Sequence, residues 1–216
     1  MDPSHAKRYS PVEIERIAAE LLNNAHPGGV EPPIEIDLLV ERHPRVDNLI
    51  PAPFEGRFNV DAVVVCKADT DTYDIFFDEK AVFGRISFSI AHEFGHVILH
   101  DALCKDCHTI EAMLDLHSRL RKSSYYDHIE HDAHAFAGAI LMPCGCLSRD
   151  AARVYQGLVE QHGFKGELIR SEFCPALAIR YKVTNAAMRV RLDRLGLQRQ
   201  IQHAIEHKLP MLDLAR

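Results

Sequence analysis

The sequence predicts an α+β fold: a small β-sheet packed with one motif-bearing helix, followed by a helical C-terminal part. Three observations carry that prediction. FNVDAVVV (58–65) and YDIFF (73–77) are β-branched and aromatic, and the polar KADTDT between them reads as a hairpin turn. Residues 86–100 return to helical period, with apolar positions three and four apart. From about residue 127 onward every apolar stretch keeps that helical spacing.

In chain order, Ser10-Pro11-Val12-Glu13 is a helix start. Ser10 can cap, Pro11 suits the first helical position, and Glu13 can reach back. Ile14, Ile17, Ala18, Leu21 and Leu22 then form one apolar face, ended by Pro27-Gly28-Gly29. After Pro32-Pro33, residues 34–43 read as a short helix, and the hairpin follows. Residues 101–126 are polar and rich in His and Cys, and no element is assigned to them. A helix over 127–141 is stopped by Pro143. Ser148 caps a segment ending near Gly163, Pro175 to Lys182 is a short helix, and Thr184 to Leu195 is another, closed by Gly196. Leu197, Ile201, Ile205 and Leu209 keep helical spacing in the tail. The domain expectation is 1–146 for the part that carries the chemistry and 147–216 for a helical region.

The bulk properties exclude several classes. With 216 residues and 47% apolar content the chain can bury a core. A formal charge of −6 argues against the whole protein being a polyanion binder. No apolar run approaches the roughly 20 residues that span a bilayer, so no membrane role is expected. MDPSHAKRYSPVEIERI lacks a basic-then-apolar layout, which makes the cytoplasm the expected compartment and reduced thiols the expected state of the six cysteines. The unusual count is 14 histidines, many of them between His92 and His134.

Those histidines begin in IAHEFGHVILH, residues 90–100. On a helix, His92 and His96 share a face and can bind one zinc ion. Glu93 points about 100° away around the axis, so it can miss the metal and still reach a water held there. That is H-E-x-x-H: two ligands and a general base for hydrolysis. The flanks are apolar, and burying two imidazoles and a carboxylate without partners costs several kcal/mol, roughly. A metal removes that cost. Gly95 inside the helix costs about 1 kcal/mol against Ala, which points to a close neighbour. His100 lies on the same face but about 12 Å from His92 along the axis, too far for the same ion. It is a helix-end or supporting residue.

A catalytic zinc usually takes a third protein ligand and leaves one position open. The next dense cluster is DHIEHDAHAFAGAILMP, residues 127–143. Asp127 and Glu130 could be a local capping box there. Spacing alone leaves Glu130, His131, Asp132 and His134 open.

HEFGHVILH followed by E-x-x-A-x-x-F-A-x-x-(I/L)-L-M-P resembles the ImmA/IrrE family of metallopeptidases. The lead-in RISFSIAHEFGH (85–96) and the C-terminal LAIRYKVTNAAMRVRLDRLGL (177–197) extend the likeness, so it covers roughly residues 10–197. The resemblance implies a zincin-like domain with one zinc per chain, held by His92, His96 and Glu130, with Glu93 as the base. It also implies a cytosolic DNA-binding repressor as the protein substrate, cleaved in a stress or mobile-element response. The family usually has Asn where this chain has His134, and often Glu where it has Asp132. His134, Asp132 and His100 are therefore candidates to support a ligand or to stabilise the transition state.

Cys104-Lys105-Asp106-Cys107-His108 fits the spacing of a c-type haem attachment, a chemistry of exported proteins. Cys104, Cys107 and His108 could instead form a second metal site, and a reduced surface loop is the plainer reading. Residues 174–196 have the outline of a helix-turn-helix, with Arg180, Lys182, Arg189, Arg191 and Arg194 nearby. Direct DNA binding competes there with a helical subdomain that presents a basic surface, which is what the resemblance implies. Two further readings differ in kind: a non-catalytic, metal-stabilised DNA- or protein-binding regulator, and a metal-dependent hydrolase of another small amide or peptide. Two His and one carboxylate also suit Fe(II) or Mn(II); the Glu of H-E-x-x-H favours zinc.

Overall fold

The computed structural model describes residues 7–54, 60–121 and 125–210. Its contacts divide the chain into two compact units, one of Met1–Ala25 and Glu35–Ile140, the other of His26–Ile34 and Leu141–Arg216. The first holds a three-stranded sheet and the motif helix; the second is helical.

In the first unit, α1 (Pro11–Ala25) starts with the reciprocal cap its sequence predicts. Ser10 N donates to Glu13 Oε2 at 2.8 Å, and Glu13 N donates to Ser10 Oγ at 3.2 Å. Ile14, Ala18 and Leu22 form its buried stripe. α2 (Ile36–Glu41) leads into the sheet, made of β1 (Val46–Ala52), β2 (Ala62–Cys66) and β3 (Tyr73–Asp78) in the order β1-β3-β2. β2 and β3 form the expected antiparallel hairpin, Val64 opposite Ile75, and Lys67 N donates to Thr72 O at 2.8 Å across the turn. Within the described residues β2 begins at Ala62; residues 58 and 59 of the expected strand lie outside them.

β1 is a strand that sequence pattern did not announce. Asp47, Asn48 and Pro51 break its alternation, yet it runs parallel to β3 with Pro51 opposite Phe77. An edge position explains this, because a proline there forfeits no hydrogen bond to a second neighbour.

α3 (Phe83–Leu99) packs on β2 and β3. Its C-terminal end is pinned by Arg45, whose Nη1 donates to Val97 O at 2.9 Å and whose Nη2 pairs with Asp101; the Tyr73 hydroxyl also donates to Asp101 Oδ1 at 2.6 Å. The unassigned stretch 101–126 contains a short α4 (Asp101–Cys104) and α5 (Ile110–Leu120), the latter capped by Thr109, whose side chain accepts from Ala112 N at 3.1 Å. α6 is Tyr126–Leu141.

The second unit holds α7 (Cys144–His162), α8 (Gly166–Tyr181), α9 (Asn185–Arg194) and α10 (Leu197–Glu206). Two expected boundaries move. α7 starts directly after Pro143, not at Ser148, and Pro175 lies inside α8 rather than at its start. An interior proline costs about 3 kcal/mol, but Ile169, Phe173 and Leu177 form one buried face across it, and their burial outweighs that cost. Thr184 caps α9 and Gly196, at φ 70, separates it from α10, as expected.

Arg180 and Arg191, among the basic residues of this region, serve the unit's own packing. Arg180 donates to the buried Asp150 carboxylate at 2.6 Å, and the buried Arg191 donates to Met142 O at 3.0 Å. No helix among the described residues is long and apolar enough to cross a membrane.

Candidate metal centre

α3 owes its position to apolar residues on both sides of the motif. Ile90, Ala91, Phe94 and Val97 are buried, and they carry Glu93 and His96 into the interior with them, at 5% and 3% exposure. Gly95 is the point of closest approach to α6. A Cβ built there would meet Phe136 Cδ1 at 3.1 Å and Ala133 Cα and O at 3.3 Å. A side chain at residue 95 would therefore require the Phe136 ring and the Ala133 backbone to give by a few tenths of an ångström.

On α6, Glu130 turns toward α3 and does not form the local capping box. His92 Nε2 and His96 Nε2 are 3.1 Å apart; Glu130 Oε2 is 3.3 Å from the first, and Oε1 is 3.6 Å from the second. Zinc bonds of 2.0–2.1 Å in a tetrahedron put neighbouring ligand atoms about 3.3–3.4 Å apart. The observed separations bracket that figure. Two imidazole nitrogens and a carboxylate converge in a largely buried place, and with both Nε2 atoms unprotonated all three present lone pairs to one point. A cation satisfies all three, so these residues fit a zinc ion.

Charge follows the same geometry. Burial alone would lower the His92 imidazole, but the hydrogen bond to Glu130 and the Glu93 and Glu130 charges outweigh it and raise it. His96 is held well below its ordinary value, by burial first and then by the surrounding histidines. Burial would raise Glu130, yet the hydrogen bond and charge of His92 bring it down. Glu93 is raised, mainly by burial. Its Oε2 accepts Val64 N–H at 3.1 Å.

The supporting candidates fall on two sides. His100 is buried, with Nδ1 3.1 Å from His96 Nδ1 and Nε2 3.9 Å from Asp132 Oδ2. His134 is exposed; its ring lies 4.4 Å from that of His92, and its Nδ1 is 2.8 Å from Glu130 O. Its ligand atom, with those of His92 and Glu130, forms one group compatible with a metal; His96, His117 and Glu130 form a second.

His117, on α5, is the residue sequence reasoning missed. The signal was present: His117 follows Met113 by four and precedes Leu120 by three, so it lies on the buried stripe of an amphipathic helix.

Cys104, Cys107 and His108 are not brought into a metal-compatible group among the described residues. His108 Nδ1 instead lies 3.0 Å from Cys66 O, beside the hydrogen bond from Cys66 N to Cys107 O at 2.8 Å. These contacts close one edge of β2.

Residues 57–193 match the family model described as Peptidase_M78, the IrrE N-terminal-like domain. No curated protein matches the chain. Among solved structures, a transcriptional regulator from Mycobacterium tuberculosis is similar at 16% identity and a TM-score of 0.46, over 84% of this chain and 46% of that one. The chain thus spans a little under half the length of that regulator.

Proposed function

This chain belongs to the ImmA/IrrE family, the family of the IrrE N-terminal-like domain, and on that premise we propose that it is a zinc-dependent endopeptidase acting on a cytoplasmic regulatory protein. The observation that carries the proposal is the convergence of His92, His96 and Glu130 with Glu93 one residue along the same helix. His92, His96 and Glu130 hold the ion. When bound, zinc acidifies a water and polarises the scissile carbonyl. Glu93 takes the proton of the attacking water on its carboxylate and delivers it to the leaving amine. The Val64 N–H fixes the orientation of that carboxylate through Oε2. Burial keeps bulk water from competing with the attacking water for it.

A DNA-binding repressor is the proposed substrate, in keeping with the family's usual targets. In this reading the chemistry belongs to residues 1–146, and the helical residues 147–216 serve recognition.

Elemental analysis of the purified chain is the test, joined to cleavage assays on candidate repressors. The expected result is one zinc per chain, lost in E130A and kept in H134A, with cleavage abolished in E93Q. No stoichiometric metal after zinc is supplied, or full cleavage by E93Q, overturns the proposal. Zinc that is needed for folding, with no dependence of function on Glu93, moves the chain to a metal-stabilised binding regulator.

A further inference from the structure

His96 faces two directions. Its Nε2 points into the proposed metal centre, and its Nδ1 lies 3.1 Å from His100 Nδ1. Past His100, the buried Asp132 presents Oδ2 at 3.9 Å from His100 Nε2, a nitrogen with no hydrogen bond of its own. That same carboxylate oxygen accepts the backbone N–H of Tyr9 at 3.3 Å. Tyr9 is held twice more: its hydroxyl donates to Leu99 O at 3.1 Å, and its ring stands edge-on to His100 at 6.3 Å. A continuous line of groups thus runs from the metal centre to the segment before α1.

We propose that His96, His100 and Asp132 form a relay of fixed tautomers that orients His96 for the metal, anchored at its far end by Tyr9. The relay rests on the metal centre proposed above. Each proton position follows from the one before. A cation on His96 Nε2 needs the lone pair there, which leaves the proton on Nδ1. That N–H points across 3.1 Å at His100 Nδ1, which must then be bare and accept it. The opposite tautomer of His100 would set two N–H groups against each other over the same distance. The His100 proton is therefore on Nε2, the nitrogen that the Asp132 carboxylate faces.

Metal-binding imidazoles gain orientation and basicity from a partner on their second nitrogen. Here that partner is another imidazole, and the carboxylate stands one step further back. His100 lies four residues after His96, and Asp132 two after Glu130. The ends of the relay are therefore set by the same two helices that present the ligands. His100 and Asp132 are positioning residues, acting through His96.

The test is imidazole NMR and zinc competition on the full chain. Long-range ¹H–¹⁵N spectra of the zinc-loaded wild type are expected to show His96 protonated on Nδ1 and His100 protonated on Nε2. H100F removes the acceptor and is expected to weaken zinc by about 10–100-fold in chelator competition. H100N places an amide oxygen near the former Nδ1 and is expected to recover most of that loss, an outcome a purely steric role would not give. A His100 that carries its proton on Nδ1, or an H100F chain that holds zinc as tightly as wild type, overturns the relay and leaves the metal centre standing. A wild type that binds no zinc overturns both. If H100F does not fold, as judged by circular dichroism, the wild-type tautomers decide alone.

Discussion

Glu93 Oε2 accepts the backbone N–H of Val64 at 3.1 Å, tying the proposed base on α3 to β2, an edge strand of the sheet. Val64 meets Ile75 on its other side, so the carboxylate takes the outward hydrogen-bonding position of that edge. Replacing the carboxylate with an amide removes the base and leaves the three ligands in place. E93Q is expected to lower kcat by about 10²–10⁴-fold while zinc content stays at one per chain. Turnover and metal content measured on one sample check this. Loss of zinc together with activity would show that Glu93 supports the ligands rather than the proton transfer.

The metal-free protein gives a second readout of the same residue. Burial raises Glu93, so its folded value lies above the ordinary 4.5. For a raised carboxyl, the stabilising contribution is full below 4.5 and is lost as pH rises through the folded value, because the buried group must then ionise. In EDTA at pH 7, E93Q is therefore expected to unfold at a higher urea concentration than wild type. That advantage should shrink as pH falls toward 4.5, where the wild-type carboxyl is neutral as well. Urea melts at several pH values test the sign; an advantage that grows on acidification would contradict it.

Gly95→Ala separates local propensity from packing. In an isolated helix alanine is better than glycine by about 1 kcal/mol. Here the new methyl meets Phe136 Cδ1 at 3.1 Å and the Ala133 backbone at 3.3 Å. A ring can yield, but backbone moves only if α6 moves, and overpacking of this kind costs about 1–3 kcal/mol. The expected net effect is a loss of about 1 kcal/mol in stability. Because α6 carries Glu130, zinc affinity should fall in the same variant. Thermal melts and chelator competition are the measurements, and a G95A chain that gains stability would show that α6 can give way.

Sequence legibility followed the range of the interactions involved. The Ser10–Glu13 cap and the hairpin turn at 67–72 are local, and both stand in the structure where the residues placed them. β1 was illegible because its strand character comes from pairing with β3, not from its own Asp47, Asn48 and Pro51. The span of α8 was misread because Pro175 is a strong local stop that buried Ile169, Phe173 and Leu177 override. At the site, the positions of His92, Glu93 and His96 come from one helix period and needed only that period. Glu130 needed a family resemblance, since its meeting with α3 is tertiary. His117 needed α5, whose apolar stripe is short and interrupted by the histidine itself.

The cysteines provide a chemical map of burial within each unit. Cys66, Cys104, Cys107 and Cys174 are buried, and Cys144 is exposed. Burial pushes the Cys104 thiol well up, and the charges of Glu93 and Cys107 add to it. Burial is also the largest cause raising Cys66, Cys107 and Cys174. Cys146 is raised in the same way and donates its S–H to Val30 O at 3.2 Å. The thiolate is the nucleophile, and each unit of upward shift removes about tenfold of it at neutral pH. Iodoacetamide on the native chain is therefore expected to modify Cys144 first and Cys104 last, with labelling rates more than about tenfold apart. Mass spectrometry of peptides from timed samples gives the order. Cys144 belongs to neither of the metal-compatible groups, so its modification should leave zinc content unchanged. Equal labelling of Cys104 and Cys144 would mean that α4 and the turn after it open readily. The hydrogen bond from Cys66 N to Cys107 O would then be a weak closure of the β2 edge.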